Sequence, residues 1–155
     1  MLREARARGL KPGYVLFDSW YAAGALLNLL EGFGWKYVAR LKSNRLIDGV
    51  AVRGRWRHRF GRGRGRLRKV AHEVLVVKDG RRYLVTNGVP LASREVKAAY
   101  RTRQQIEETF RLLKQGFGWG GSSVRKAAAQ VAHMHLGLYA LCLTERAALK
   151  GVQTI

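Results

Sequence analysis

Apolar positions along the chain fall into short blocks separated by glycine, proline and charge. Met1 to Gly9 reads as the end of a helix, with Gly9 as its stop and Pro12 just beyond. Tyr14, Val15, Leu16 and Phe17 are consecutive and apolar, which predicts a strand buried on both faces. That run ends at Asp18. Ala22 to Glu31 has helical spacing, with Ala25, Leu26, Leu29 and Leu30 inward and Gly32 and Gly34 closing it. Trp35 to Leu41 predicts a second strand. Strand, acid, helix, strand is an α/β unit.

The pattern then changes. Val52 to Phe60 alternates Arg53, Arg55, Arg57 and Arg59 with Gly54, Trp56, His58 and Phe60, which predicts a strand with one cationic face. Gly61 to Arg68 is a Gly/Arg repeat and predicts a mobile loop or wide turn. Val70 to Val77 and Arg82 to Asn87 flank Asp79-Gly80, a strong hairpin signal. Pro90 ends this β-rich stretch. Ser93 can cap a long helix running to about Gln115, and Gly116, Gly118, Gly120 and Gly121 break the chain after it. A last, largely apolar helix, about Val124 to Lys150, is expected to pack under the sheet. The fold class is α/β, and the chain divides into 1–42, a β-rich basic stretch 43–89, and 90–155.

Charge changes the picture more than length does. A chain of 155 residues with 47% hydrophobic content suits one domain with a filled core. It also carries 30 Lys+Arg against 10 Asp+Glu, a formal net charge of +20. Such a charge opposes compaction and attracts polyanions, of which nucleic acid is the usual one. A membrane is not expected: the basic N-terminus lacks an apolar signal core, and Val131 to Leu143 is broken by His133 and His135 and too short to span. The single Cys142 has no intrachain partner and fits a reduced cytosol as a core residue.

Nine of the basic residues lie between Arg53 and Lys69, with no acid among them: Arg53, Arg55, Arg57, Arg59, Arg62, Arg64, Arg66, Arg68 and Lys69. They suit a phosphate-tracking arm, against the plainer alternative of a solvated loop. Trp56 could stack on a base but is expected to pack. The glycines lack the GK[ST] ending of a phosphate-binding Walker loop. His133 and His135 are two apart and do not form the i, i+4 metal pair, and His58 and His72 lack companions at zinc spacing.

Candidate chemistry concentrates near the end of the chain. Tyr100, Arg103, Glu107 and Lys114 are offset by 0, 3, 7 and 14. On one helix these fall at roughly 0°, −60°, −20° and −40°, a single narrow stripe. Ala99, Ile106, Phe110, Leu113 and Phe117 form an apolar stripe beside it that can dock the helix. Glu108 lies about 100° from Glu107 and is expected to face solvent. A carboxylate between two cations and a phenol suits metal-assisted phosphoryl transfer. The plain alternative is a surface helix with helix-spaced ion pairs, Arg103 with Glu107 for example. Asp18 likewise has two readings, an acid at the carboxyl end of a buried strand, where α/β sheets place their chemistry, or the cap of the next helix.

The residues support a resemblance. Tyr100 to Lys114 matches every spaced position of Y-(2)-R-(3)-E-(6)-K, the signature of DDE transposases of the cut-and-paste insertion-sequence type, the insertion-sequence-four-like subgroup. Val15 to Tyr21, V-L-F-D-S-W-Y, resembles the strand that carries that family's second catalytic Asp, and Leu84 to Asn87 is a weaker match. The resemblance spans most of the chain. It implies a partial RNase H-like catalytic fold, with 1–42 carrying the second Asp, 43–89 as a β-rich insertion, and 90–155 carrying the Glu helix and a C-terminal helix. It also implies Mg²⁺ or Mn²⁺ held by Asp18 and Glu107, and terminal-inverted-repeat phosphates held by Tyr100, Arg103 and Lys114. The partner would be double-stranded DNA, transposon ends and target. The full-length form would be a homodimer, and the setting the bacterial cytoplasm, at the nucleoid.

One departure stands out. The family's first catalytic Asp lies on an earlier strand, and the seventeen residues before Asp18 hold only one acid, Glu4. The chain is therefore expected to be the C-terminal portion of a transposase, truncated, frameshifted or one half of a split frame, and catalytically dead or nearly so alone. Two alternatives stay open: a non-catalytic basic nucleic-acid-binding protein, and another RNase H-like nuclease such as a junction resolvase. Trp20 and Tyr21, which follow Asp18, are expected to close the core over the strand. Trp119 could contact DNA or cover the last helix.

Overall fold

The computed structural model describes residues 1–56, 60–121 and 125–152. It comprises two compact units, Met1–Arg103 and Gln104–Ile155. The first opens with α1 (Leu2–Ala7), β1 (Val15–Phe17), α2 (Gly24–Gly32) and β2 (Tyr37–Leu41). A small hairpin follows, β3 (Leu46–Ile47) and β4 (Val50–Ala51), then α3 (Val52–Arg55). β5 (Phe60–Gly65), β6 (Val74–Asp79), β7 (Arg82–Thr86) and α4 (Ser93–Arg101) complete the unit.

Five strands form one mixed sheet in the order β1-β2-β7-β6-β5. β1 and β2 are parallel, and the other neighbours are antiparallel. This mixed α/β architecture is consistent with a partial RNase H-like domain. Both faces of the sheet are buried. On one, Leu27 and Leu30 of α2 pack with Tyr37, Ala39, Val74, Val76 and Val85; on the other, Val96 and Tyr100 of α4 pack with Val38, Leu75, Val77 and Leu84. Two-sided burial explains the unbroken apolar run of β6. β1, by contrast, is an edge strand and only half buried, with Tyr14 and Leu16 on the α4 side and Val15 and Phe17 on the α2 side.

Several expectations are corrected. α2 turns Leu27, Leu30 and Gly24 inward and leaves Ala25 exposed. Asn28 sets that rotation: its amide donates to the Lys69 carbonyl (3.1 Å) and its oxygen accepts the Ala71 N–H (2.9 Å). Val52–Arg55 is a turn of helix rather than a strand, and Arg57 and Arg59 lie outside the described residues. The Gly/Arg repeat is not a loop but strand β5, paired along its length with β6. Its glycines are explained by Trp56: a Cβ on Gly61 or Gly63 would stand 2.6 Å from the indole. Trp56 therefore packs, as expected. The arginines between those glycines, Arg62 and Arg64, face solvent and protect the sheet edge from pairing.

The predicted hairpin joins β6 to β7, with Asp79 opposite Arg82 and Gly80 at φ 59°. Asp48-Gly49 carries the same signal and makes the β3–β4 hairpin, with φ of 47° and 80° as a type I′ turn requires. The long helix predicted from Ser93 to Gln115 is two helices, α4 and, in the second unit, α5 (Gln104–Gly116). Thr102 Oγ1 donates to the Ala99 carbonyl (2.8 Å), occupying an acceptor at the end of α4 where the chain turns. Ser93 is the first helical residue, not the cap; Glu95 instead accepts the Ala92 N–H at 2.6 Å.

The second unit pairs α5 with α6 (Ala127–Val152), while Val124 lies outside the described residues. Leu113 is buried, but Ile106 and Phe110 of the predicted docking stripe stay about half exposed. Trp119 covers the last helix: its indole N–H donates to the Met134 carbonyl (3.0 Å) and its ring lies against Gly137. His133 Nε2 sits 3.2 Å from the Gly118 carbonyl, a structural bond. Cys142 is exposed rather than in a core. Among the described residues no helix is long and apolar enough to cross a membrane.

Candidate active site

Asp18 is positioned by the residue before it. Phe17 is buried in the α2-side core, so the chain leaves the sheet at the carboxyl end of β1 with Asp18 half buried. Asp18 Oδ1 accepts the Ser19 N–H at 2.6 Å, and the Asp18 carbonyl accepts the Tyr21 N–H at 3.1 Å. Helix capping is excluded for Asp18: the N-cap of α2 is Ala23, without a side-chain bond. The β1–β2 register, Phe17 opposite Ala39, sets Arg40 next along beside Asp18.

Tyr100 reaches the same neighbourhood from α4. Burial pushes its phenol above the ordinary range; Asp18 adds to that shift, while Arg103 and Arg40 oppose it. The phenol is therefore protonated at neutral pH and available as a donor. The Arg103 guanidinium carbon lies 5.7 Å from the Tyr100 ring centroid. Asp18, Tyr100, Arg103 and Arg40 thus share one small region, a carboxylate and a neutral phenol among cations. Arg103 sits in the turn after α4, so the single-helix wheel does not extend from Tyr100 to Lys114.

Glu107 and Lys114 belong to α5. Both are exposed, and with Phe110, Arg111 and Gln115 they line a shallow depression of about 430 Å³. Their spacing of two helical turns puts them on one face; Glu108, also exposed, is not part of that lining.

A feature that the sequence reading missed lies beside Asp18. Arg40, Lys42, Arg53 and Arg81, with Ser19, line an open groove of about 500 Å³, and among the described residues no carboxylate lines it. Its signal was available in the parallel β1–β2 pair, which brings the end of β2 alongside Asp18. Among the other predicted basic residues, Arg55 is held by Asp48 (2.5 Å), while Arg62, Arg64, Arg66, Arg68 and Lys69 are exposed. Asp48 also accepts the Arg66 N–H (2.8 Å), and these two bonds hold its carboxyl below the usual range, with the backbone bond the larger cause.

The donor chemistry fits a hard divalent cation. Asp18 Oδ2 accepts no hydrogen bond from the described residues. Mg²⁺ commonly binds through one or two carboxylates and completes its shell with water and phosphate oxygens. Among the described residues no three His, Cys, Asp or Glu side chains are grouped to hold an ion alone.

A protein-family model described as a transposase DDE domain matches residues 1–143. No curated protein matches the chain.

Proposed function

The chain belongs to the transposase DDE domain family, and from that premise we propose that it acts in an insertion-sequence-four-like, cut-and-paste DDE transposase that binds transposon-end DNA. Asp18 and Glu107 are its metal ligands, and Tyr100, Arg103 and Lys114 hold phosphates. The observation that carries this reading is the neighbourhood of Asp18: a carboxylate with one oxygen uncommitted, a buried neutral phenol, and the cations Arg103 and Arg40.

Each residue has a task that follows from its chemistry. Arg103 and Lys114 offset the charge that gathers on the non-bridging oxygens of a phosphodiester under attack. Arg103 can do so with two parallel N–H donors, Lys114 as a point charge. Tyr100 donates its phenolic proton to a phosphate oxygen without adding charge. Asp18 and Glu107 supply hard oxygen ligands. A bound divalent ion would activate the attacking oxygen and stabilise the leaving one.

The same reading makes the partner double-stranded DNA and the setting the bacterial nucleoid. A second reading, a basic DNA-binding protein without catalysis, draws on the cation-lined groove and requires no metal.

Calorimetry with Mn²⁺ or Mg²⁺, in the presence of short duplex DNA, separates the two. The expected result is metal binding that disappears in both Asp18→Asn and Glu107→Gln. DNA binding that persists with no metal binding in the unaltered chain would replace the first reading with the second.

A further inference from the structure

Asp48 is out of place by charge. From Arg53 to Lys69 the chain carries nine basic residues and no acid, yet the Asp48 carboxylate is folded against two of them. Its backbone lies in the left-handed region (φ 47°), which Asp and Asn tolerate better than most residues. Oδ1 accepts the Arg66 N–H (2.8 Å), and Oδ2 accepts from Arg55 Nη1 (2.5 Å). Gly65 leaves the room for this, since a Cβ there would stand 2.3 Å from Oδ2.

Arg55 is fixed from three sides. Besides Asp48, its Nη2 donates to the Arg64 carbonyl (3.4 Å), and its guanidinium carbon lies 5.4 Å from the Trp56 ring centroid. A guanidinium spent in this way is withdrawn from phosphate binding. Arg53 sits two residues earlier on α3, so its side chain leaves the helix about 200° away. That is nearly the opposite side, and there it lines the groove with Arg40, Lys42 and Arg81.

α3 does not hold this orientation by itself. It is a turn of four residues without a side-chain cap, and a single turn orders more backbone than its one bond repays. Its start is anchored by the buried Val52 and by the Arg53 N–H, which donates to the Ser43 carbonyl (3.0 Å). Its end is anchored through Arg55, and therefore through Asp48.

We propose that Asp48 is a positioning residue for the cationic groove: by holding Arg55 on one side of α3 it presents Arg53 to phosphate on the other. The role of the groove rests on the DNA-binding reading above; the role of Asp48 rests on its two bonds and on the opposed faces of α3. The assignment reverses an ordinary expectation. Removing a carboxylate from a chain of net charge +20 should strengthen its hold on a polyanion, because each acid weakens the attracting field. A carboxylate that acts through Arg53 has the opposite effect, and its removal weakens that hold.

The test measures binding of the full chain to a labelled blunt duplex by anisotropy, over a range of salt. Arg53→Gln should remove one phosphate contact, which lowers the salt slope by about 0.9 and the affinity at about 0.1 M salt by about 8-fold. Asp48→Asn should reproduce most of this, a loss of roughly 3- to 8-fold with a lower slope. That substitution keeps an acceptor for the Arg66 N–H and suits the left-handed backbone, so the variant is expected to fold. Arg55→Gln, which leaves Asp48 in place, should match it. Arg55→Lys, which keeps the ion pair, should restore most of the affinity. Neither Asp48→Asn nor Arg55→Gln should add to Arg53→Gln when combined with it, since all three act through one contact.

Unchanged or tighter DNA binding in Asp48→Asn would overturn the proposal. So would a loss in Asp48→Asn or Arg55→Gln that adds fully to that of Arg53→Gln, which would mark a general loosening or a separate phosphate contact. Failure of the unaltered chain to bind the duplex is a different result: it would overturn the DNA-binding reading, and the role of Asp48 with it.

Discussion

A single side chain in this fold is informative when its neighbours are set by more than its own sequence context. Asp18 was legible as an acid ending a strand, but Arg40 beside it was not, because that proximity depends on β1–β2 register. Trp20 was misread for a related reason: aromatic content predicts burial, and only the turn from Asp18 to Tyr21 shows it pointing into solvent. His72 has no zinc-spaced companions in the sequence, yet it forms a partly buried polar pair with Tyr37, Tyr37 Oη to His72 Nε2 at 2.9 Å. Burial raises the phenol and lowers the imidazole, and Glu31 raises both to a lesser degree. The imidazole value in the folded chain is thus below its ordinary 6.5. As pH falls, the unfolded chain takes up this proton first. The pair's contribution is therefore complete above 6.5 and lost as pH falls through the lower folded value. The melting temperature should fall between about pH 7.5 and pH 5, the window in which histidine titrates, and less steeply in His72→Gln. Parallel pH profiles for the two proteins would show that His72 does not titrate on unfolding.

Elements were easier to foresee than their ends and their faces. The helix–strand alternation of the first forty residues and the Asp79-Gly80 hairpin follow from periodicity and turn chemistry. The break between α4 and α5 does not, because Thr102 ends α4 through a local bond that a helical wheel cannot register. β5 is the most instructive element. Its composition, glycine alternating with arginine, matches flexible sequence, and it becomes a strand because Trp56 lies over its glycine face. A methyl group at Gly63 would meet that indole at 2.6 Å, so either Trp56 or the strand must shift. Gly63→Ala is expected to destabilise the protein by about 1–3 kcal/mol, as overpacking does. Arg62→Ala, on the solvent face of the same strand, should stay within about 0.5 kcal/mol of the unaltered chain. Urea unfolding of the pair checks the claim; equal midpoints would mean that Trp56 does not hold β5 in place.

Charge acts at the scale of the whole molecule. With 30 Lys+Arg and 10 Asp+Glu, one-to-one pairing of every acid would still leave 20 cations uncompensated. Exposed pairs such as Arg8–Glu4 contribute only about 0–1 kcal/mol each, so they do not offset mutual repulsion among the rest. The excess was plain in the sequence. Its arrangement was not, since a groove drawing on Arg40, Lys42, Arg53 and Arg81 gathers residues that lie far apart along the chain. Two consequences follow from the same surplus and can be measured together. Raising ionic strength from about 0.01 M to about 1 M shortens the screening length from about 30 Å to about 3 Å, and should raise the melting temperature of the free chain. Duplex DNA should stabilise the chain strongly at the low-salt end and weakly at the high-salt end, because binding that releases counterions fades as salt rises. The two curves should therefore converge at high salt. A melting temperature that falls with salt in the free chain would mean that favourable ion pairs, not repulsion, dominate its surface. Stabilisation by DNA that does not depend on salt would mean that the contacts are not chiefly to phosphates.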